Sequence, residues 1–137
     1  MVDAPRRSRG LIDTSVVIDL DQIDAGQLPT ELAISALTMA ELAAGPHATG
    51  DAGERARRQD RLQRAEASFD PLPFDGDSAR AYGRIYAAVV STGRKARGPR
   101  AIDLLIAATS MAANLPLYTR NVDDFRGIEH LLPIVGV

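Results

Sequence analysis

The chain contains no cysteine. That absence removes disulfides, thiolate zinc sites, iron–sulfur clusters and cysteine nucleophiles together, and it fits a reducing cytoplasm. Histidine is nearly as scarce. With only His47 and His130, a multi-histidine metal site cannot be built, and a Ser-His-Asp triad would depend on one of these two. Tryptophan is missing, and three Phe and three Tyr are too few for the base-stacking platform of a single-strand binder. Lysine occurs once, at Lys95, so the basic residues are almost all arginine. Long apolar runs are also missing. The charge-free stretch 104–118 is shorter than the ~20 residues of a membrane span and carries Thr109, Ser110, Asn114 and Pro116. The first ten residues include Arg6, Arg7 and Arg9 and lack the apolar segment of a signal peptide. The expectation is a soluble, cytoplasmic protein with no membrane partner.

What is present is an ordinary globular composition. A chain of 137 residues, 45% hydrophobic and 25% charged, suits one domain spanning 1–137. The net charge of −2 argues mildly against a nucleic-acid partner. The arginine bias points the other way, because a guanidinium offers phosphate a planar fork where an ammonium offers a point charge. Short apolar runs at 10–12, 32–37, 115–119 and 132–135 read as strands. Between them the periodicity predicts a short helix after Asp13, a helix opening at Thr38 and stopping near Gly45-Pro46, and a charge-laced helix over 54–69. Two further helices follow over 75–92 and 100–114, the second ending near Asn114, and a stub of helix within 120–127. Strands alternating with helices predict a parallel α/β sheet covered on both faces, with ligands bound at the carboxyl ends of the strands.

Those strand ends carry acids. Asp13 directly follows the first strand; Glu41 and Asp103 are expected in the first turns of later helices; Asn121, Asp123 and Asp124 follow the strand ending at Thr119. Each has a plain structural reading. Thr38-x-x-Glu41 is a capping box, Asp103 meets a helix dipole, Asp13 is an N-cap, and Asp124 caps the stub before Phe125. Taken together they say more, because carboxylates gathered on one rim cannot all ionise without a cation. Oxygen donors without histidine or cysteine select Mg²⁺ or Mn²⁺. Asp13 is boxed in by apolar residues, where an ionised carboxylate needs a partner.

These residues carry a resemblance. Leu11-Ile12-Asp13-Thr14-Ser15, Thr38-x-x-Glu41-Leu42, Ala101-x-Asp103-x-x-Ile106-Ala107-Ala108 and Thr119-Arg120-Asn121-x-x-Asp124-Phe125 resemble PIN-domain ribonucleases, and more narrowly the VapC toxins of bacterial toxin–antitoxin pairs. The resemblance covers essentially the whole chain, in order. It implies a PIN-like three-layer α/β/α fold with a central, mostly parallel sheet. It implies an endoribonuclease that uses Mg²⁺ or Mn²⁺, with Asp13 and Asp103 as principal metal ligands and Glu41 as the third acid. The family's fourth acid falls at Asn121, an amide that adds no negative charge, and Asp123 or Asp124 could stand in for it. It also implies a cognate VapB-type antitoxin and a homodimer.

An acidic site repels a polyanion, so cations must flank it. Arg94, Lys95, Arg97 and Arg100 stand just before Asp103 with no acid among them, and are suited to phosphate. Arg120, the N-terminal arginines, and the hydroxyls of Thr14, Ser15 and Thr119 are further candidates for binding RNA or ordering water. The arginines of 55–64 alternate with acids and read as a solvated or partner-facing face. Two other functional readings stay open at this stage: a non-catalytic PIN-like module that binds RNA or protein, and a PIN nuclease of RNA processing that is no toxin. A dehalogenase-type phosphatase would need an acid where Ser15 stands, and a receiver domain would need a lysine where this chain has none.

Overall fold

A computed structural model describes residues 7–137; Arg6 lies outside them. The chain runs β1 (Arg9–Ile12), α1 (Thr14–Ile18), β2 (Glu31–Ala33), α2 (Ala36–Ala44), α3 (Ala52–Ser68), α4 (Gly76–Ser91), α5 (Pro99–Ala112), β3 (Leu117–Thr119) and β4 (Ile134–Gly136). The strands form one sheet in the order β2-β1-β3-β4, and every pairing is parallel. The expected three-layer α/β/α architecture is therefore present.

Alternation along the strands splits the core in two. Leu11 and Leu117 face a cluster with Ile85, Val89, Leu104 and Ile128, contributed largely by α4 and α5. Their neighbours Ile12 and Tyr118 face the opposite way, into a cluster with Val16, Val17, Leu42 and Ala65 from α1, α2 and α3. Both faces are covered, which is why the strands read as continuous apolar runs rather than alternating ones. Gly10 is required where the second layer closes on β1. A Cβ there would stand 2.5 Å from Cε1 of buried Tyr118.

The order of the strands fixes where a ligand belongs. The chain steps from β1 to β2 on one side, then returns and enters β3 on the other. The carboxyl ends of β1 and β3 therefore flank a switch point, where the loops leave in opposite directions and open a crevice.

Two helix starts differ from expectation. Helix α2 begins before Thr38, because buried Ser35 leaves the strand in extended conformation and its side chain accepts from the Thr38 amide at 3.1 Å. Thr38 is then inside the first turn, and Glu41 lies in the second turn and caps nothing. Helix α5 starts at Pro99, whose fixed φ and missing N–H suit a first helical position. Asp103 is thus the fifth helical residue, one further in than expected and just past the first turn, where the dipole acts most strongly. Gly98 precedes it at φ +67, a backbone state that a side chain rarely takes. Asn114 terminates α5 in the left-handed region at φ 56, one residue past the C-cap.

Candidate active site

Asp13 sits at the carboxyl end of β1 and is 4% exposed. Its amide continues the sheet ladder by donating to Tyr118 O at 3.0 Å, so its backbone is fixed by β3. Its carboxylate accepts from Ser15 Oγ at 2.5 Å, from Val16 N at 3.1 Å, and from the Thr119 hydroxyl. Burial still pushes this carboxyl above its ordinary range, and those hydrogen bonds only partly offset it. The N-cap role is real, since Asp13 caps α1. It does not account for the burial of an acid that a solvent-facing cap avoids.

Ser15 and Thr119 are placed by this same acid. The Ser15 hydroxyl donates to Asp13 and accepts from Arg120 N at 3.1 Å. Thr119, fully buried, accepts from Asn121 N at 3.0 Å. Together they tie the ends of β1 and β3 across the switch point.

Glu41 reaches the same rim from α2. Thr14 Oγ1 lies 2.6 Å from Glu41 Oε1 and 3.1 Å from Thr38 Oγ1, and Ser35 Oγ lies 3.4 Å from Thr38 Oγ1. A hydroxyl has one proton to give. Thr14 therefore donates to the carboxylate, Thr38 to Thr14, and Ser35 to Thr38. A file of hydroxyls, two of them buried, ends on one carboxylate oxygen and fixes its orientation.

Asp103 closes the group from α5. Its carboxyl is raised to about 6, first by burial, then by the charges of Asp124, Asp13 and Glu41, with Arg100 pulling the other way. The three expected acids are thus close enough to feel one another. The fourth charge comes from Asp124. It lies beside Asp103 rather than capping the turn at Val122–Phe125, which has no side-chain cap. Asp123 is paired with Arg126 instead, and Asn121 is exposed without a side-chain hydrogen bond among the described residues. Nothing in the sequence singles out Asp124 over Asp123, because the choice is made by the turn that buried Phe125 closes.

The cations divide. A cleft of about 510 Å³ is lined by Arg94, Lys95, Arg97, Pro99, Arg100, Asp103 and Asp124, so the basic loop meets the acids directly. Within it, Arg94 donates to Asp123 O at 2.9 Å and braces the loop. Arg120 is paired with Asp19 at 3.6 Å, on the rim. Arg9 is paired with Glu31 at 3.3 Å, and Arg7 lines a hollow with Pro116 and Pro133; both lie at the amino ends of the strands, far from the acids. Sequence reasoning missed a second basic wall. Arg58 and Arg61 of α3 line a cleft of about 310 Å³ with Thr14 and Glu41. The signal was the brief connection through Gly45-Pro46, which folds α3 back onto α2 and brings its arginines to Glu41.

A PIN-domain family model matches residues 11–131 of the chain. The chain belongs to the PIN-domain family. It is 34% identical over 123 residues to ribonuclease VapC5 of Mycobacterium tuberculosis, spanning 88% of this chain and 87% of that one. Ribonuclease VapC of Rickettsia bellii is 29% identical over 129 residues, spanning 88% and 91%. The crystal structure of VapBC-5, a toxin–antitoxin system of Mycobacterium tuberculosis, superposes with a TM-score of 0.84 at 33% identity, covering 95% of this chain and 99% of that one. VapBC2 of Rickettsia felis, bound to a promoter DNA fragment, shares the fold at a TM-score of 0.75 and 21% identity. A PIN-family chain thus brings Asp13, Glu41, Asp103 and Asp124 to one rim.

The donor set suits a hard divalent cation. Four carboxylates without a nitrogen or sulfur donor favour Mg²⁺ or Mn²⁺, and the charges of Asp124, Asp13 and Glu41 add to burial in raising the Asp103 carboxyl. Among the described residues no three acids close into a ligand cage as they stand. Glu41 is turned to Thr14 and Asp13 to its own hydroxyls, so their free oxygens complete a site only with bridging water or a small side-chain rotation.

Proposed function

We propose that this PIN-domain protein is a metal-dependent endoribonuclease, the toxin of a VapBC-type pair, acting in the cytoplasm and held inactive by a cognate VapB-type antitoxin. The observation that supports it is the convergence of Asp13, Glu41, Asp103 and Asp124 at the switch point, with Asp103 raised to about 6 by burial and then by its acidic neighbours.

Asp13 and Asp103 would hold a Mg²⁺ or Mn²⁺ ion, with Glu41 as third ligand directly or through water. When bound, such an ion lowers the pKa of water and stabilises negative charge on the phosphate. The rest is done by the chain. Ser15, Thr119 and the Val16 amide fix the Asp13 carboxylate at the end of β1. Thr14 aims Glu41, whose carboxylate can take the proton of the attacking water. That water's oxygen bonds to phosphorus as the P–O bond to the leaving nucleotide breaks, and a proton goes to the departing oxygen. Arg97 and Arg100 bind flanking phosphates and offset repulsion by the acids. Asn121, exposed at the rim, and Arg120 would order water or substrate at the exit of β3.

The test is cleavage of total RNA by the purified chain in Mg²⁺ and in Mn²⁺, against chelator and Asp103→Asn. Discrete products only from the unaltered chain with metal are expected. Equal cleavage in excess chelator, or by Asp103→Asn, would refute the proposal. The same reading expects a homodimer, to be checked by light scattering, and growth arrest on expression that the neighbouring antitoxin relieves.

A further inference from the structure

We propose that Arg61 is an RNA contact, binding a phosphate on the Glu41 side of the scissile bond, opposite the basic loop. This rests on the ribonuclease reading above.

The acids stand between two clefts that share no lining residue. Asp103 and Asp124 open onto the loop of Arg97 and Arg100, while Glu41 and Thr14 open onto α3. A strand laid across the four carboxylates must therefore leave on both sides. A polyanion held by cations on one side only would be repelled along the other.

On the α3 side most cations are already engaged. Arg57 and Arg58 both grip Glu54, at 2.8 and 3.0 Å. Arg64 is paired with Asp60 at 3.0 Å. Arg55 donates to the carbonyls of Pro46 and Thr49 at 3.2 and 3.1 Å. Arg61 is the exception. It is partly buried and, among the described residues, has neither an ion pair nor a hydrogen bond. Acids line the same clefts, Glu41 and Glu54 in one and Asp21 and Asp60 in the other, yet none is within ion-pair distance, so this partly buried guanidinium keeps its donors free for an anion. It also occupies the junction. Arg61 and Ile18 line both the cleft at Glu41 and a neighbouring cleft of about 390 Å³ between α1 and α3, so the path runs on beyond the first phosphate.

The test separates binding from cleavage. In the inactive Asp103→Asn protein, the affinity of a short labelled single-stranded RNA is measured by anisotropy across a salt series, with and without Arg61→Ala or Arg61→Lys. Arg61→Ala should weaken binding several-fold and reduce the salt slope by about 0.7, the share of one phosphate contact on a single strand. Arg61→Lys should restore the slope but only part of the affinity, because the charge returns without the fork. In the otherwise unaltered enzyme, Arg61→Ala should raise KM more than it lowers kcat. An unchanged slope overturns the proposal, as does failure of the Asp103→Asn protein to bind RNA at low salt. Loss of antitoxin inhibition with an unchanged RNA slope would assign Arg61 to the protein partner and also overturn it. If the unaltered chain cleaves but the slope stays, Arg61 alone is wrong. If the slope falls but no RNA is cleaved under any metal, the nuclease reading fails and the RNA contact stands.

Discussion

A single carboxyl group carries opposite consequences for stability and for activity. Asp103 is raised from 3.8 to about 6 in the folded protein, so between those values the native state holds more proton than the unfolded chain. Unfolding free energy then falls as pH rises through that window, and the metal-free protein is under electrostatic load at neutral pH. Partial exposure and screening reduce the effect to about 1–2 kcal/mol. In chelator near pH 8, Asp103→Asn should therefore raise Tm by a few degrees while abolishing cleavage. At pH 4 the two melting curves should nearly coincide. Thermal unfolding of both proteins at both pH values checks this, and a lower Tm for Asp103→Asn at pH 8 would show that the carboxylate is stabilised by something other than added metal.

Elements, more than residues, decide how Glu41 is presented. Ser35 caps α2 and also stands at the head of the hydroxyl file that ends on Glu41. Ser35→Ala should cost about 1 kcal/mol from the cap alone, and a loss of activity larger than that of Leu37→Ala at equal stability would show the file at work. The comparison needs only denaturant melts and initial cleavage rates. The sequence made the rim acids legible because strand, acid, helix is a local pattern, repeated at β1 and β3. It could not show where α2 and α5 begin, since Ser35 and Pro99 compete with Thr38 and Arg100 for the same role and only the packed strand exits choose between them. Nor could it separate Asp123 from Asp124. The two are adjacent in sequence, and which one faces Asp103 depends on how buried Phe125 rotates the turn. The second basic wall had only the Gly45-Pro46 connection as its signal, because it depends on the packing of α3 against α2.

At the scale of the whole molecule, after β2 the chain touches the sheet edge only through the single bridge of Leu72 to Ser35 and adds no further strand until Leu117. When it returns it takes an interior place, between β1 and β4. Until then β1 has one neighbour, Leu11 and Asp13 lack the partners that Pro116 and Tyr118 supply, and both halves of the core are open on one side. A fragment ending at residue 112 should be unfolded by circular dichroism and hydrogen exchange, although it contains all five α-helices described above and three of the four clustered acids; a cooperative melt of that fragment would contradict the role assigned to β3. Timing follows from this order. During synthesis Asp13 leaves the ribosome first and Asp124 more than a hundred residues later, and the strand that aligns them emerges just before the last acid. The acidic rim therefore cannot assemble while the chain is nascent, and it comes together only when the chain is nearly whole.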